Sequence, residues 1–102
     1  MTKENTVISI LFINGMELVG RYVSETTEDL VVYKPRMAQM SQQGVGLIPS
    51  ICATGKSPEG DFTFSKRFIM YYTESVDEIS KGWQQHTSGL ITADKGTKIS
   101  RL

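Results

Sequence analysis

Ile8-Ser9-Ile10-Leu11-Phe12-Ile13-Asn14-Gly15-Met16-Glu17-Leu18-Val19-Gly20-Arg21-Tyr22-Val23 consists of two apolar segments hinged at Asn14-Gly15. Asn-Gly is the dipeptide best suited to the left-handed conformations of a two-residue hairpin turn, so the stretch predicts two antiparallel strands. Gly20 falls inside the second segment. A glycine there gives up a packing side chain and marks a sharp bend or a close approach of another backbone. A strand, a tight turn and a strand bent at glycine is how a small barrel begins to close.

Working outward, residues 7–13 are apolar on both faces apart from Ser9, which predicts burial on both sides or at a subunit contact. In the second segment Met16, Leu18 and Tyr22 share one parity and Glu17 and Arg21 the other, the alternation of a half-buried strand. A third segment runs from Leu30 toward Met40 with Pro35 in its middle. Proline cannot donate to a ladder, so the strand is expected to be bent, bulged or on an edge there. Ser41-Gln42-Gln43-Gly44 reads as a turn, and 45–53 as a return strand with its own proline, Pro49. The two prolines across one hairpin predict a twisted arm that leaves the barrel body.

Residues 54–61 are dense in turn formers and read as a loop. Residues 62–73 read as strand, with Phe62, Phe64, Phe68, Met70 and Tyr72 on one parity. Periodicity leaves open whether this is one long strand or two broken near Ser65-Lys66-Arg67. Ser75-Val76-Asp77-Glu78 has the form of a capping box, Ser75 as N-cap and Glu78 three residues later. It predicts a helix over about 76–87 that packs Ile79 and Trp83, four apart, on the sheet. Gly82 weakens that helix by about 1 kcal/mol relative to alanine. A polar lead over 1–6 and a polar, frayed tail over 91–102 complete a single domain.

At 102 residues there is room for one small core. Basic and acidic residues balance at eleven each, so no global field draws the chain to nucleic acid. An anion-binding surface then has to come from local clustering or from repetition around an oligomer. One cysteine, Cys52, excludes an internal disulfide framework and a multi-cysteine metal site. It is expected to be a small core residue of the return strand. The lone His86 is expected to cap a helix end or lie on the surface. Neither acidic pair, Glu28-Asp29 or Asp77-Glu78, has the further ligands of a metal site. With no phosphate-loop signature and no nucleophile–base arrangement, the expectation is a protein that is not an enzyme and has no cofactor. Neither a signal-peptide core nor a membrane-length apolar run is present, from which a cytoplasmic location is expected.

Two clusters join basic groups to aromatic rings or an extended backbone: Lys34 and Arg36 around Pro35, and Lys66-Arg67 between Phe64 and Phe68. Cations beside flat rings are what single-stranded RNA requires, for phosphates and unstacked bases respectively. Ordinary surface charge explains the same residues equally well.

The glycine pattern resembles the first motif of the Sm-like family, which includes the eukaryotic Sm and LSm proteins and bacterial Hfq. In that family a strand ends at a glycine, the next bends at another glycine five residues on, and an apolar strand follows a short polar loop. Gly15, Gly20, the loop over 24–29 and Leu30-Val31-Val32-Tyr33-Lys34 reproduce this spacing, with Hfq the nearer branch. The segment Trp83-Gln84-Gln85-His86-Thr87-Ser88-Gly89-Leu90 is also similar to the end of small Sm-like proteins of marine phages.

The resemblance implies a small, strongly bent, five-stranded antiparallel barrel, here with a C-terminal helix, and favours two strands over 62–73. It implies a cyclic homo-oligomer of about five to seven subunits, closed by pairing the edges of the fourth and fifth strands. It also implies single-stranded RNA as the partner, as for a phage RNA regulator in an infected host, with no small-molecule substrate or membrane. The alternative is a structural ring that uses the fold without RNA. The RNA-binding residues it implies, from two loops meeting at a central pore, are Thr27, Glu28, Asp29, Lys66 and Arg67. Glu28 stands where Hfq has an aromatic, and the usual arginine-glycine of the Sm turn is absent.

Overall fold

The computed structural model describes residues 5–88. The stretches 1–4 and 89–102, including the tail expected over 91–102, lie outside the described residues. The described chain is mainly β, ordered β1 Val7–Phe12, β2 Glu17–Glu25, β3 Asp29–Ser41, β4 Gly44–Ile48, β5 Asp61–Ser65, β6 Ile69–Glu74 and α1 Asp77–Ser88. A single 3-10 turn, Lys66–Phe68, separates β5 from β6. Two strands over 62–73 are therefore correct.

All pairing is antiparallel, in the order β4-β3-β2-β1-β6, with β5 also on β3. The first half of β3 pairs β5, from Asp29↔Ser65 to Tyr33↔Asp61. Its second half pairs β4, from Met37↔Ile48 to Ser41↔Gly44. Among the described residues there are thus six strands rather than five, the extra one being the return leg of the arm. β5 and β6 are joined through the turn but not paired, so the sheet is not a closed barrel. It is strongly curled, because an edge-on Phe12–Phe64 contact at 5.6 Å joins β1 to β5 although β2 and β3 lie between them in the sheet.

The β1–β2 connection departs from the two-residue turn that Asn14-Gly15 predicts. Phe12 N–H donates to Met16 O at 2.8 Å and Gly15 N–H to Phe12 O at 2.9 Å, which makes a three-residue loop. Only Gly15 has a positive φ, +92°, so Asn14 keeps an ordinary conformation and its Oδ1 accepts from Met16 N–H at 2.9 Å. This is the type I turn with a left-handed glycine bulge that serves hairpins one residue longer.

β3 lies so close to β2 at Gly20 that a side chain there would collide. A Cβ there would lie 2.4 Å from Val32 Cγ1, 3.1 Å from Tyr33 O and 3.2 Å from Pro35 Cα. Opposite it β3 carries one extra residue, since Arg21 pairs Tyr33 while Val19 pairs Arg36. The bulge contains Lys34, whose φ of +48° is rare for a side-chain-bearing residue. Its backbone is held from two sides: Lys34 N–H donates to Gly60 O at 2.9 Å, and Trp83 Nε1–H donates to Lys34 O at 3.0 Å.

β1 buries one face fully and the other in part, short of the two-sided burial expected over 7–13: Ser9 and Leu11 are half-buried and Ile13, just after the strand, is exposed. Ile8, Ile10 and Phe12 face the interior with Leu18, Tyr22, Leu30 and Val32. Val7 faces the other way, into a second cluster with Val19, Leu47 and Trp83, onto which Ile79 packs. α1 therefore covers the outer face of the sheet through the Ile79–Trp83 pair.

Four further expectations are overturned. The return strand ends at Ile48, because Pro49 has no N–H with which to continue the ladder, and 49–60 is loop. Cys52 lies exposed in that loop rather than in the core. The capping box does not form: Ser75 sits before the helix with its hydroxyl bonded to Ser9 Oγ at 2.7 Å. The shared parity of 62–73 does not mark one buried face, and the 3-10 turn interrupts the strand within it. Phe64, Ile69 and Tyr72 pack on the core, while Phe62, Phe68 and Met70 are exposed.

Candidate nucleic-acid interface

The loop between β2 and β3 is shaped by its own threonine. Thr26 N–H donates to Asp29 O at 2.8 Å, and Thr26 Oγ1 accepts from Glu28 N–H at 3.2 Å and Asp29 N–H at 3.0 Å. Threonine can offer this local side-chain acceptor where the ladder is interrupted. Across from it, Ser65 Oγ accepts from Arg67 N–H at 3.4 Å and starts the 3-10 turn. Lys66 N–H then donates to Glu28 O at 2.8 Å, which ties the two loops together.

An open cleft of about 520 Å³ lies between them, lined by Thr27, Glu28, Asp29, Ser65, Lys66 and Arg67. All five residues implied as RNA-binding are brought together in this one cleft, with Ser65 added. The two halves of the site are distant in sequence and meet only because β5 pairs the start of β3.

The charges differ from the simple basic turn of the sequence. Lys66 Nζ lies 3.0 Å from Glu25 Oε1, and the same carboxylate accepts from Tyr72 O–H. The Tyr72 hydrogen bond, then the Lys66 ammonium, hold the Glu25 carboxyl below its ordinary range. Lys66 is thus largely compensated. Arg67 is exposed, and its guanidinium has no partner among the described residues. Glu25 and Tyr72 are the members that sequence reading missed. Tyr72 has the parity of a core residue, and nothing in the sequence signals that its hydroxyl reaches the end of β2.

Beyond Lys66 the surface continues into a shallower depression of about 380 Å³, lined by Lys66, Ile69, Met70, Tyr71 and Tyr72. It runs along the unpaired edge of β6, where Phe68, Met70 and Tyr71 are each more than half exposed.

The other basic cluster has a different role. Arg36 is buried, with Nη1 donating to Pro58 O at 2.7 Å and Nη2 3.2 Å from Glu59 Oε2. Burial lowers its pKa, and Glu59 opposes that shift. Lys34 Nζ donates to Thr87 O at 3.1 Å, satisfying a carbonyl in the last turn of α1. Both cations therefore clamp the arm, the 49–60 loop and the helix together. His86 lies in the same cluster, half-buried rather than a surface cap, with Nδ1 buried and unpartnered among the described residues. Desolvation and then the Arg36 charge push its pKa down, while Glu59 acts the other way.

Among the described residues no three His, Cys, Asp or Glu side chains are grouped to hold a metal ion. No helix there is long and apolar enough to cross a membrane. No known protein family and no curated protein sequence matches the chain.

Proposed function

We propose that this protein is an Sm-like, ring-forming module that binds single-stranded RNA at the cleft between the 26–29 loop and the 65–67 turn. The observation that carries the reading is the juxtaposition of these two loops, locked by the Lys66 N–H to Glu28 O bond. The free strand edges support assembly. β5 is paired on one side only and β6 ends the sheet, and both present exposed apolar side chains, Phe62 on one and Met70 and Tyr71 on the other. Unpaired apolar edges invite pairing, and β5 of one copy on β6 of the next generates a closed ring that covers both of these edges. Each subunit then repeats Arg67 and its neighbouring rings around one axis, giving a neutral chain a local field for phosphates.

A structural ring without RNA is the second reading. It is favoured by the neutralisation of Lys66 and by Glu28 and Asp29, which leave one uncompensated cation against two carboxylates in each cleft.

The test joins light scattering to fluorescence anisotropy with oligo-U, oligo-A and mixed RNA at two salt concentrations. RNA binding predicts a mass several times 11.4 kDa and an affinity that weakens with salt. In that case Arg67→Ala weakens binding and flattens the salt slope while the ring stays intact. A ring with no affinity for any oligomer at low salt decides for the structural reading.

A further inference from the structure

The groups that the cleft offers a ligand are not those of a phosphate pocket. With Lys66 held by Glu25, they are the carboxylates of Glu28 and Asp29, the Arg67 guanidinium, and the hydroxyls of Thr27 and Ser65. Ionised carboxylates only accept hydrogen bonds. Whatever base enters must present donors.

The four bases differ on this point. The pairing edge of uracil has one N–H between two carbonyl oxygens, which a carboxylate repels. Adenine and cytosine each set one amine beside an acceptor nitrogen. Guanine has two adjacent donors, N1–H and the N2 amine, side by side like the two oxygens of a carboxylate. Such bidentate charge-assisted pairing is stronger and more selective than a single bond.

Of the two carboxylates, Asp29 is the better placed. It is half-buried, its side chain is short, and its backbone is fixed by both Thr26 bonds and by the ladder to Ser65. Glu28 is exposed on a longer stem. We infer that the cleft reads guanine in single-stranded RNA, with Asp29 accepting from N1–H and N2–H and Arg67 contacting an adjoining phosphate. This rests on the RNA-binding reading of the same cleft and names the base that it selects.

The experiment measures anisotropy of the assembled wild-type protein with labelled oligouridylates carrying guanine, adenine or inosine at every third position. Inosine keeps N1–H but lacks the N2 amine, so it removes one arm of the pair. Guanine oligomers are expected to bind about tenfold more tightly than the adenine ones, with inosine losing most of that gain. Asp29→Asn, checked for folding by thermal melting, is expected to bring the guanine-to-adenine ratio near one. Equal affinity for guanine and inosine oligomers overturns guanine reading while leaving RNA binding in place. So does a guanine preference that persists in folded Asp29→Asn. No binding of any oligomer overturns both. The inosine comparison uses the wild-type protein, so the inference stays testable if the variant fails to fold.

Discussion

Replacing Gly20 with alanine tests the architecture at its tightest point. The added Cβ would stand 2.4 Å from Val32 Cγ1, far inside the ordinary contact of about 3.5–4.0 Å between carbons. Val32 is fully buried among Ile8, Ile10 and Leu30, so its methyl has no open space to rotate into. Tyr33 O and Pro35 Cα, at 3.1 and 3.2 Å, are backbone atoms of the same bulge and yield only if β3 moves as a whole. Gly20 has no positive φ, so the effect is steric rather than conformational. Overpacking of this kind costs about 2 kcal/mol, within the usual 1–3. For a domain of this size that corresponds to a fall in Tm of roughly 10 °C. Circular dichroism melts at one fixed protein concentration measure it. A double-mutant cycle identifies the cause, because Val32→Ala makes room for the new methyl and Gly20→Ala should then cost much less. An unchanged Tm for Gly20→Ala, or full additivity in the cycle, would refute the close approach of β2 and β3.

Stability should depend on pH in two separate windows. His86 has its native pKa below the ordinary 6.5, so the unfolded chain takes up the proton first. Its contribution is complete above pH 6.5 and is lost as pH falls below it, and His86→Gln should flatten that limb in chemical denaturation. Glu25, held below 4.5 by Tyr72 and Lys66, contributes above that value, and the loss on further acidification should diminish in Tyr72→Phe. Trp83 is 4% exposed and donates to Lys34 O, so its emission should be blue-shifted and protected from iodide; full quenching would contradict the docked helix. Gly15→Val should destabilise by about 1–2 kcal/mol through its φ of +92°, although a Cβ there meets no atom within 4 Å. Thermal melting would expose an error in that reasoning if the variant matched the parent.

Local rules read directly from the residues account for much of this molecule. The β1–β2 hairpin with its special glycine at Gly20, the β3 bulge at Pro35 and the Ile79–Trp83 face were legible because each depends on a few neighbouring residues, whereas the break at 65–67 was left open by periodicity and favoured by the likeness to Sm-like proteins. Turn chemistry, the missing proline donor and helical spacing act at that range. The meeting of 27–29 with 65–67 was legible only through the likeness to Sm-like proteins, since no local pattern links segments so far apart.

What the tertiary structure decided are matters of partnership. Ser75 carries a capping signature, yet its hydroxyl goes to Ser9 on β1, because a chain neighbour and a spatial neighbour compete for one group. Phe62, Phe68 and Met70 share the parity of Phe64 and Tyr72 along the chain, yet they are exposed while Phe64 and Tyr72 pack on the core. Lys34 holds its left-handed conformation because Gly60 and Trp83, distant in sequence, bond both of its backbone groups. Lys66 reads as a free cation in sequence and is an ion-paired one in space, since Glu25, which also accepts from Tyr72 O–H, reaches it from the end of β2. The sequence by itself determined where the chain turns, bends and stops. The curl of the sheet decided which charges remain available, because electrostatic pairing depends on distance in space and is indifferent to distance along the chain.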